Sequence, residues 1–192
     1  MGSVPRILAF AGSLRKDSYN KRLVAVAAAG ARNAGAEVTL IDLADYPLPV
    51  FDEDLEKAEG IPRSAAQLKE LLKSHEGFLI GCPEYNSSIT AALKNVIDWA
   101  SRPAPDEESL ACFKGKVAVL MSTSPGVLGG MRGLVHVRAI LSSIQVLVLP
   151  DQKSIPNAST AFNSDGSLAD PKQQEAVMNL GAKLAQTVTK LR

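Results

Sequence analysis

The chain has 192 residues, 46% of them hydrophobic and 21% charged, with a formal net charge of +1. That length and composition suit one ordinary globular domain, and the near-zero charge excludes a broad basic surface for nucleic acid as well as an acidic solvating tail. No apolar run approaches the roughly 18 residues of a bilayer span, no signal-peptide pattern stands at the N-terminus, and two cysteines, Cys82 and Cys112, make no disulfide framework, so a cytoplasmic protein without a membrane or nucleic-acid partner is expected.

Strand and helix signals then alternate along the chain. The pattern predicts a strand over 6–10 and a helix over 18–34, with Leu23, Val24, Ala27, Ala28 and Ala31 on one face and Gly35 as its stop. Residues 37–42 read as a second strand. Residues 43–62, broken by Pro47, Pro49, Gly60 and Pro62, read as a long loop. A helix over 63–74 and a third strand over 77–82 follow. A helix over 89–100 turns Leu93, Val96, Ile97 and Ala100 inward. The fourth strand is predicted over 116–121, a helix over 131–144, and the fifth strand over 146–149, closed by Pro150. A polar excursion over 151–170 leads to a last amphipathic helix carrying Val177, Leu180, Leu184, Val188 and Leu191. With no repeat, low-complexity tract or linker, residues 1–192 are expected to form a single domain.

Strands three to five are short and apolar throughout, as a parallel sheet covered on both faces requires. The expectation is therefore an α/β three-layer sandwich with a five-stranded parallel sheet. In such sheets ligands bind outside the carboxyl ends of the strands. That rule selects the loops 12–20, 83–88 and 122–130, all of unusual composition.

The first loop reads Gly12-Ser13-Leu14-Arg15-Lys16-Asp17-Ser18-Tyr19-Asn20. A helix start presents unpaired N–H groups and a partial positive charge, so it favours an anion. Ser13, Ser18 and Asn20 add hydrogen-bond donors and Arg15 adds a fixed cation. The set forms a phosphate cradle that needs no metal; the plainer alternative is a strand-to-helix turn with serine caps. Neither the Walker pattern nor the three-glycine dinucleotide fingerprint is present.

The second loop is Pro83-Glu84-Tyr85-Asn86-Ser87-Ser88. Its turn can aim backbone N–H groups at one ligand edge, Tyr85 offers a flat apolar face, and Asn86 can donate and accept. Ser87 or Ser88 is a candidate helix N-cap. Glu84 is either a general base or a structural carboxylate; no partner in the sequence tunes it, which favours the latter. The third loop, Ser122-Thr123-Ser124-Pro125-Gly126 followed by Gly129-Gly130, permits close backbone approach to a ligand. Together the loops describe a phosphate pocket beside a flat, hydrogen-bonding slot, a shape for a phosphorylated planar heterocycle. The order of parts matches the flavodoxin-like fold, strand order 2-1-3-4-5, where FMN sits at the switch point between strands one and three.

Gly12-Ser13-x-Arg15-x-x-Ser18-x-Asn20, Pro83-Glu84-Tyr85-Asn86, Leu93-Lys94-Asn95-x-x-Asp98-Trp99 and Ser124-Pro125-Gly126 together resemble the NADPH-dependent FMN reductase family, whose members include quinone, azo-dye and chromate reductases. The resemblance spans residues 6–150. It implies a flavodoxin-like domain holding non-covalent FMN, with NADPH or NADH as reductant and a small-molecule electron acceptor served in ping-pong fashion. Ser13, Arg15, Ser18 and Asn20, with Tyr19 among them, would hold the phosphate. Pro83, Glu84, Tyr85, Asn86 and Ser87 would line the isoalloxazine, and Ser122, Thr123, Ser124, Pro125 and Gly126 would flank the ribityl and ring. No catalytic side chain and no metal are expected, because the chemistry belongs to the flavin. Ser87 departs from the family, which commonly has Gly there; serine is costly at that position only if φ is positive.

Relatives in the family form dimers and tetramers with the flavin near the interface, so a homodimer or homotetramer is expected. Trp99 is either an interface anchor or a cover for its own core, and Arg102 either reaches a neighbouring subunit or is a solvated helix-end cation. Cys82 reads as a buried apolar residue, and His136 as structural or interfacial. The rival functions are a flavin-based electron carrier, which the net charge of +1 disfavours, a redox sensor acting on a protein partner, and a non-flavin enzyme binding a nucleoside phosphate.

Overall fold

The computed structural model of the chain describes residues 4–192. In chain order the elements are β1 (Arg6–Ala11), α1 (Tyr19–Asn33), β2 (Glu37–Leu40), a 3-10 turn (Leu43–Asp45), α2 (Glu53–Glu59), α3 (Arg63–Ser74), β3 (Gly77–Gly81), β4 (Glu84–Tyr85), β5 (Ser88–Ile89), α4 (Ala91–Ala100), β6 (Val117–Thr123), α5 (Met131–Ser143), β7 (Leu147–Ile155), α6 (Ala158–Ala161) and α7 (Pro171–Leu191). The main sheet has five strands in the order β2-β1-β3-β6-β7, all paired in parallel. This is the flavodoxin-like order 2-1-3-4-5 once the separate β4-β5 hairpin is left out of the count.

Alternation along each strand divides the core into two layers. Ile7, Ala9 and Ala11 of β1, with Val117, Val119 and Met121 of β6, face α1 and α7. Leu8 and Phe10, with Ala118 and Leu120, face α3, α4 and α5. On the first face small residues let α1 and α7 almost touch. A Cβ built on Gly30 would lie 2.0 Å from the Met178 carbonyl oxygen, and one on Gly181 would lie 1.9 Å from that of Ala27. Neither position tolerates a side chain without moving a helix.

Four expectations are corrected. The 43–62 loop contains α2, capped by the Asp52 carboxylate, which accepts from the Asp54 N–H. The helix buries no residue and so carries no apolar period to betray it. Residues 83–88 are not a simple turn into a helix: β4 and β5 pair antiparallel, and α4 starts only at Ala91. Its N-cap is Thr90, not Ser87 or Ser88; the Thr90 Oγ1 accepts from the Leu93 N–H at 3.2 Å. Nor does Pro150 close the last strand, which runs on to Ile155 at the sheet edge with a register shift opposite Ala118 and Leu120. An edge strand accommodates the missing proline N–H.

The fourth correction concerns Trp99, which is 0% exposed and therefore cannot anchor an interface. Its Nε1 donates to the Pro49 carbonyl at 2.8 Å, and its ring meets Phe51 edge-on at 5.0 Å. The segment between β2 and α3 folds over it. Arg102 is likewise engaged within the chain: its Nε donates to Glu56 at 2.9 Å and its guanidinium lies 5.4 Å from the Phe51 ring centroid.

Candidate functional site

β1 ends at Ala11 and α1 begins at Tyr19, so residues 12–18 cross the carboxyl edge of the sheet next to its central strands. Ser13 and Ser18 are each 5% exposed. Ser18 occupies the N-cap of α1 in extended conformation, yet its side chain makes no cap hydrogen bond. The Ser13 Oγ accepts from the Arg15 N–H at 3.3 Å, which leaves its own proton to donate. The exposed Arg15 guanidinium has no ion pair or hydrogen bond among the described residues. Two hydroxyls, an uncommitted cation and the free N–H groups of a 15-residue helix thus converge.

A cleft of about 300 Å³ is lined by residues 12–15, Tyr85 and residues 90–92, with Ser13 and Arg15 on its wall and Ser18 outside its lining. No carboxylate lines it. This donor set fits the phosphate of FMN on chemical grounds: charge, hydroxyl donors and helix dipole all favour a dianion. Tyr85, 56% exposed, provides a flat apolar wall beside it. A larger hollow of about 460 Å³ between β7 and α7 includes Asp151 and Lys183 but none of the three loops' residues.

Cross-links bring the three loops together. Thr90 Oγ1 donates to the Gly12 carbonyl at 2.7 Å, tying the first loop to the start of α4, just after the second loop. Asn20 ties the first to the third: its Nδ2 donates to the Thr123 carbonyl at 2.9 Å and its Oδ1 accepts from the Thr123 N–H at 3.1 Å. The Asn20 amide is therefore engaged with backbone rather than standing free with Ser13 and Ser18. The Ser122 and Thr123 side chains are also turned inward, donating to the carbonyls of Gly129 and Ile155, whereas Ser124, Pro125, Gly126, Val127 and Leu128 of that loop reach the surface. Tyr19 stacks on Phe162 at 5.9 Å and lies beside the cradle.

The β4-β5 hairpin carries the second loop. Asn86 and Ser87 form its turn with φ of 51° and 65°, both left-handed. This is the shape of a type I′ turn, which normally prefers Asn-Gly. Glu84, with its side chain 6% exposed, is paired to Arg132 at 2.6 Å and accepts from the Gly133 N–H at 3.0 Å. Burial opposes its charge, but these bonds outweigh burial and hold its pKa below the ordinary carboxylate value. A carboxylate held anionic and enclosed by donors is structural, not a general base. Burial pushes the Cys82 thiol far up, so it is no redox thiolate.

Arg132, Gly133 and His136 join the site without having been expected there. His136 Nδ1 and Ser88 Oγ lie in hydrogen-bond contact at 2.8 Å. The available signal was an absence: Gly129-Gly130 precede α5 with no Ser, Thr or Asp to cap it.

Comparison with known proteins supplies the rest. The profile of the NADPH-dependent FMN reductase family matches residues 5–160. An NAD(P)H-dependent FMN reductase of Pseudomonas aeruginosa is 34% identical over 188 residues, covering 97% of each chain. A quinone reductase of Escherichia coli is 37% identical over 145 residues, covering 75% of this chain and 73% of the relative. Among solved structures, the flavoenzyme NAD(P)H:(acceptor) oxidoreductase of Paracoccus denitrificans superposes with a TM-score of 0.79 at 28% identity, covering 97% of this chain and 98% of its own.

Proposed function

We infer the working of the site from one premise: the chain belongs to the NADPH-dependent FMN reductase family. It is an FMN-containing oxidoreductase that draws electrons from NAD(P)H, of the FMN reductase and quinone reductase type. When bound, FMN would supply the chemistry, hydride acceptance from a nicotinamide and electron delivery to an acceptor. The protein binds, orients and shields.

Ser13, Arg15, Ser18 and the N-terminus of α1 hold the phosphate in this reading. The observation that carries it is Arg15, a cation left without a partner among the described residues, just before a hydroxyl-lined helix start. The 85–87 turn presents backbone donors to the ring, Tyr85 walls the cleft, and Ser124, Pro125 and Gly126 approach from the other side. Asn20, Ser122 and Thr123 act one step back by fixing the third loop. Glu84 stays ionised and moves no proton.

Both the nicotinamide and the acceptor use one exposed opening, so they take turns. Quinones are the proposed acceptor class, with azo compounds and chromate as further candidates. We place the enzyme in the cytoplasm as one domain that self-associates as a homodimer or homotetramer. Exposed Leu14, Tyr85, Val127, Leu128 and Met131 on the site loops and the start of α5 offer apolar surface for such contact.

Purified protein should be yellow, and its released flavin should be FMN. Initial rates against NADPH at several fixed quinone concentrations should give parallel double-reciprocal lines. A colourless protein that takes up no FMN, or intersecting lines, would contradict the reading.

A further inference from the structure

α5 begins after Gly130, at φ 84°, and has no N-cap side chain of its own. The N–H groups of its first turn need acceptors. The Glu84 carboxylate, arriving from β4, provides one. Its Oε2 accepts from the Gly133 N–H at 3.0 Å, and its Oε1 accepts from Arg132 Nε at 2.9 Å and Nη2 at 2.6 Å. The approach depends on Gly133: a Cβ there would lie 3.3 Å from the Ser88 carbonyl oxygen and 3.4 Å from Glu84 Cβ. Ser88 adds a second tie to His136, one turn further along α5.

Between these ties hangs the Asn86–Ser87 turn, left-handed at both residues. No side-chain hydrogen bond from Asn86 or Ser87 holds it among the described residues. Strands of two residues each do not make a hairpin that is stable by itself. Its shape is imposed from α5, and α5 begins where the third loop ends.

We propose that Glu84 is a positioning residue: capping α5 from another element, it locks the 85–87 turn to the third loop and so sets the backbone donors that meet the flavin ring. The proposal rests on the FMN reading above. Glu84 touches no reacting atom and acts through Arg132 and Gly133.

The test compares FMN with riboflavin, which shares the ring and lacks the phosphate. Affinities for both are measured by fluorescence quenching on apoprotein prepared from the full chain. Glu84→Gln keeps an acceptor for the Gly133 N–H but loses the charge facing Arg132. It should weaken both flavins by the same factor, about tenfold, as loss of a charge-assisted bond implies. Arg132→Gln, at a side chain 54% exposed, should give a smaller loss, again equal for both ligands. The double variant should lose no more than Glu84→Gln alone, because the two residues form one device. A lower melting temperature with both affinities unchanged would make Glu84 a stability cap only and overturn the proposal. A loss confined to FMN would also overturn it. If Glu84→Gln does not fold, Arg132→Gln decides by the same criteria. Wild-type protein that binds neither flavin would instead remove the FMN reading itself, a result visible before any variant is made.

Discussion

Arg15 and Ser87 show how differently two residues of one site are constrained. Arg15 is exposed and unpaired among the described residues, so its contribution appears only when an anion arrives. Arg15→Ala should weaken FMN about 10- to 100-fold, the worth of a charge-assisted contact, and leave riboflavin almost unchanged. Equal losses for the two flavins would remove Arg15 from the phosphate. Ser87 bears a cost in the absence of any ligand, because its φ of 65° places a Cβ against the following carbonyl. Ser87→Gly should raise stability by about 1 kcal/mol in urea unfolding, the usual penalty of a left-handed non-glycine residue. A destabilised Gly variant would mean that the serine side chain makes a contact worth more than the strain.

Among the elements, the segment between α4 and β6 is held by a buried charge cluster as well as by the apolar packing of Cys112 and Phe113. Lys69 of α3, its side chain 3% exposed, pairs with Glu107, which is 10% exposed, and also donates to the Arg102 carbonyl. Lys73 adds a second cation to Glu107 at 2.9 Å. Burial works against the Glu107 carboxylate, but the bonds from Lys69, the Ala104 N–H and Lys73 outweigh it and hold its pKa at about 2. Because that value lies below the ordinary 4.5, the stabilisation is complete above about pH 4.5 and is lost as pH falls through about 2. Glu107→Gln should destabilise the protein by about 3 kcal/mol at neutral pH, since it strands a buried lysine, and should flatten the acid limb of the stability curve between those values. Chemical unfolding of both proteins at stepped pH measures this; parallel acid limbs would assign the loss to other carboxylates. None of these residues lines the cleft beside the cradle, and the device serves the scaffold around α3 and α4.

At the scale of the molecule, the cofactor is a structural partner as well as a reagent. Three loops from three strand ends are tied together through Thr90–Gly12, Asn20–Thr123 and Glu84–Arg132. A ligand that binds only this assembled state stabilises the whole fold by mass action. Added FMN at about a hundredfold excess over its Kd should contribute about 2.7 kcal/mol and raise the melting temperature by several degrees, whereas riboflavin at the same concentration should raise it less. No upward shift with FMN would mean that the loops do not form a binding site. Light scattering after size exclusion should give the mass of a dimer or tetramer; a monomer would restrict the site to one chain.

The sequence by itself determined the sheet and its strand order, and it put the hydroxyls and cation of the proposed cradle side by side. Apolar runs such as Ile7–Phe10 and Phe78–Ile80, short and bounded by turn residues, read as strands buried on both faces, and Ser13, Arg15 and Ser18 stand together because they are neighbours along the chain. Such short-range patterns survive without knowledge of the fold. What only the tertiary structure decided depends on contacts between distant segments. Trp99 is buried because Pro49 and Phe51, about fifty residues earlier, close over it. Asn20 serves Thr123 rather than standing free, at a separation of 103 residues. Glu84 is a cap because Arg132 and Gly133, 48 and 49 residues later, fold against it. A polar side chain of given type can meet a ligand, a backbone group or an opposite charge, and its local sequence is the same in each case. Which partner it takes is set by the packing that brings one within about 3 Å, and that packing is a property of the whole chain.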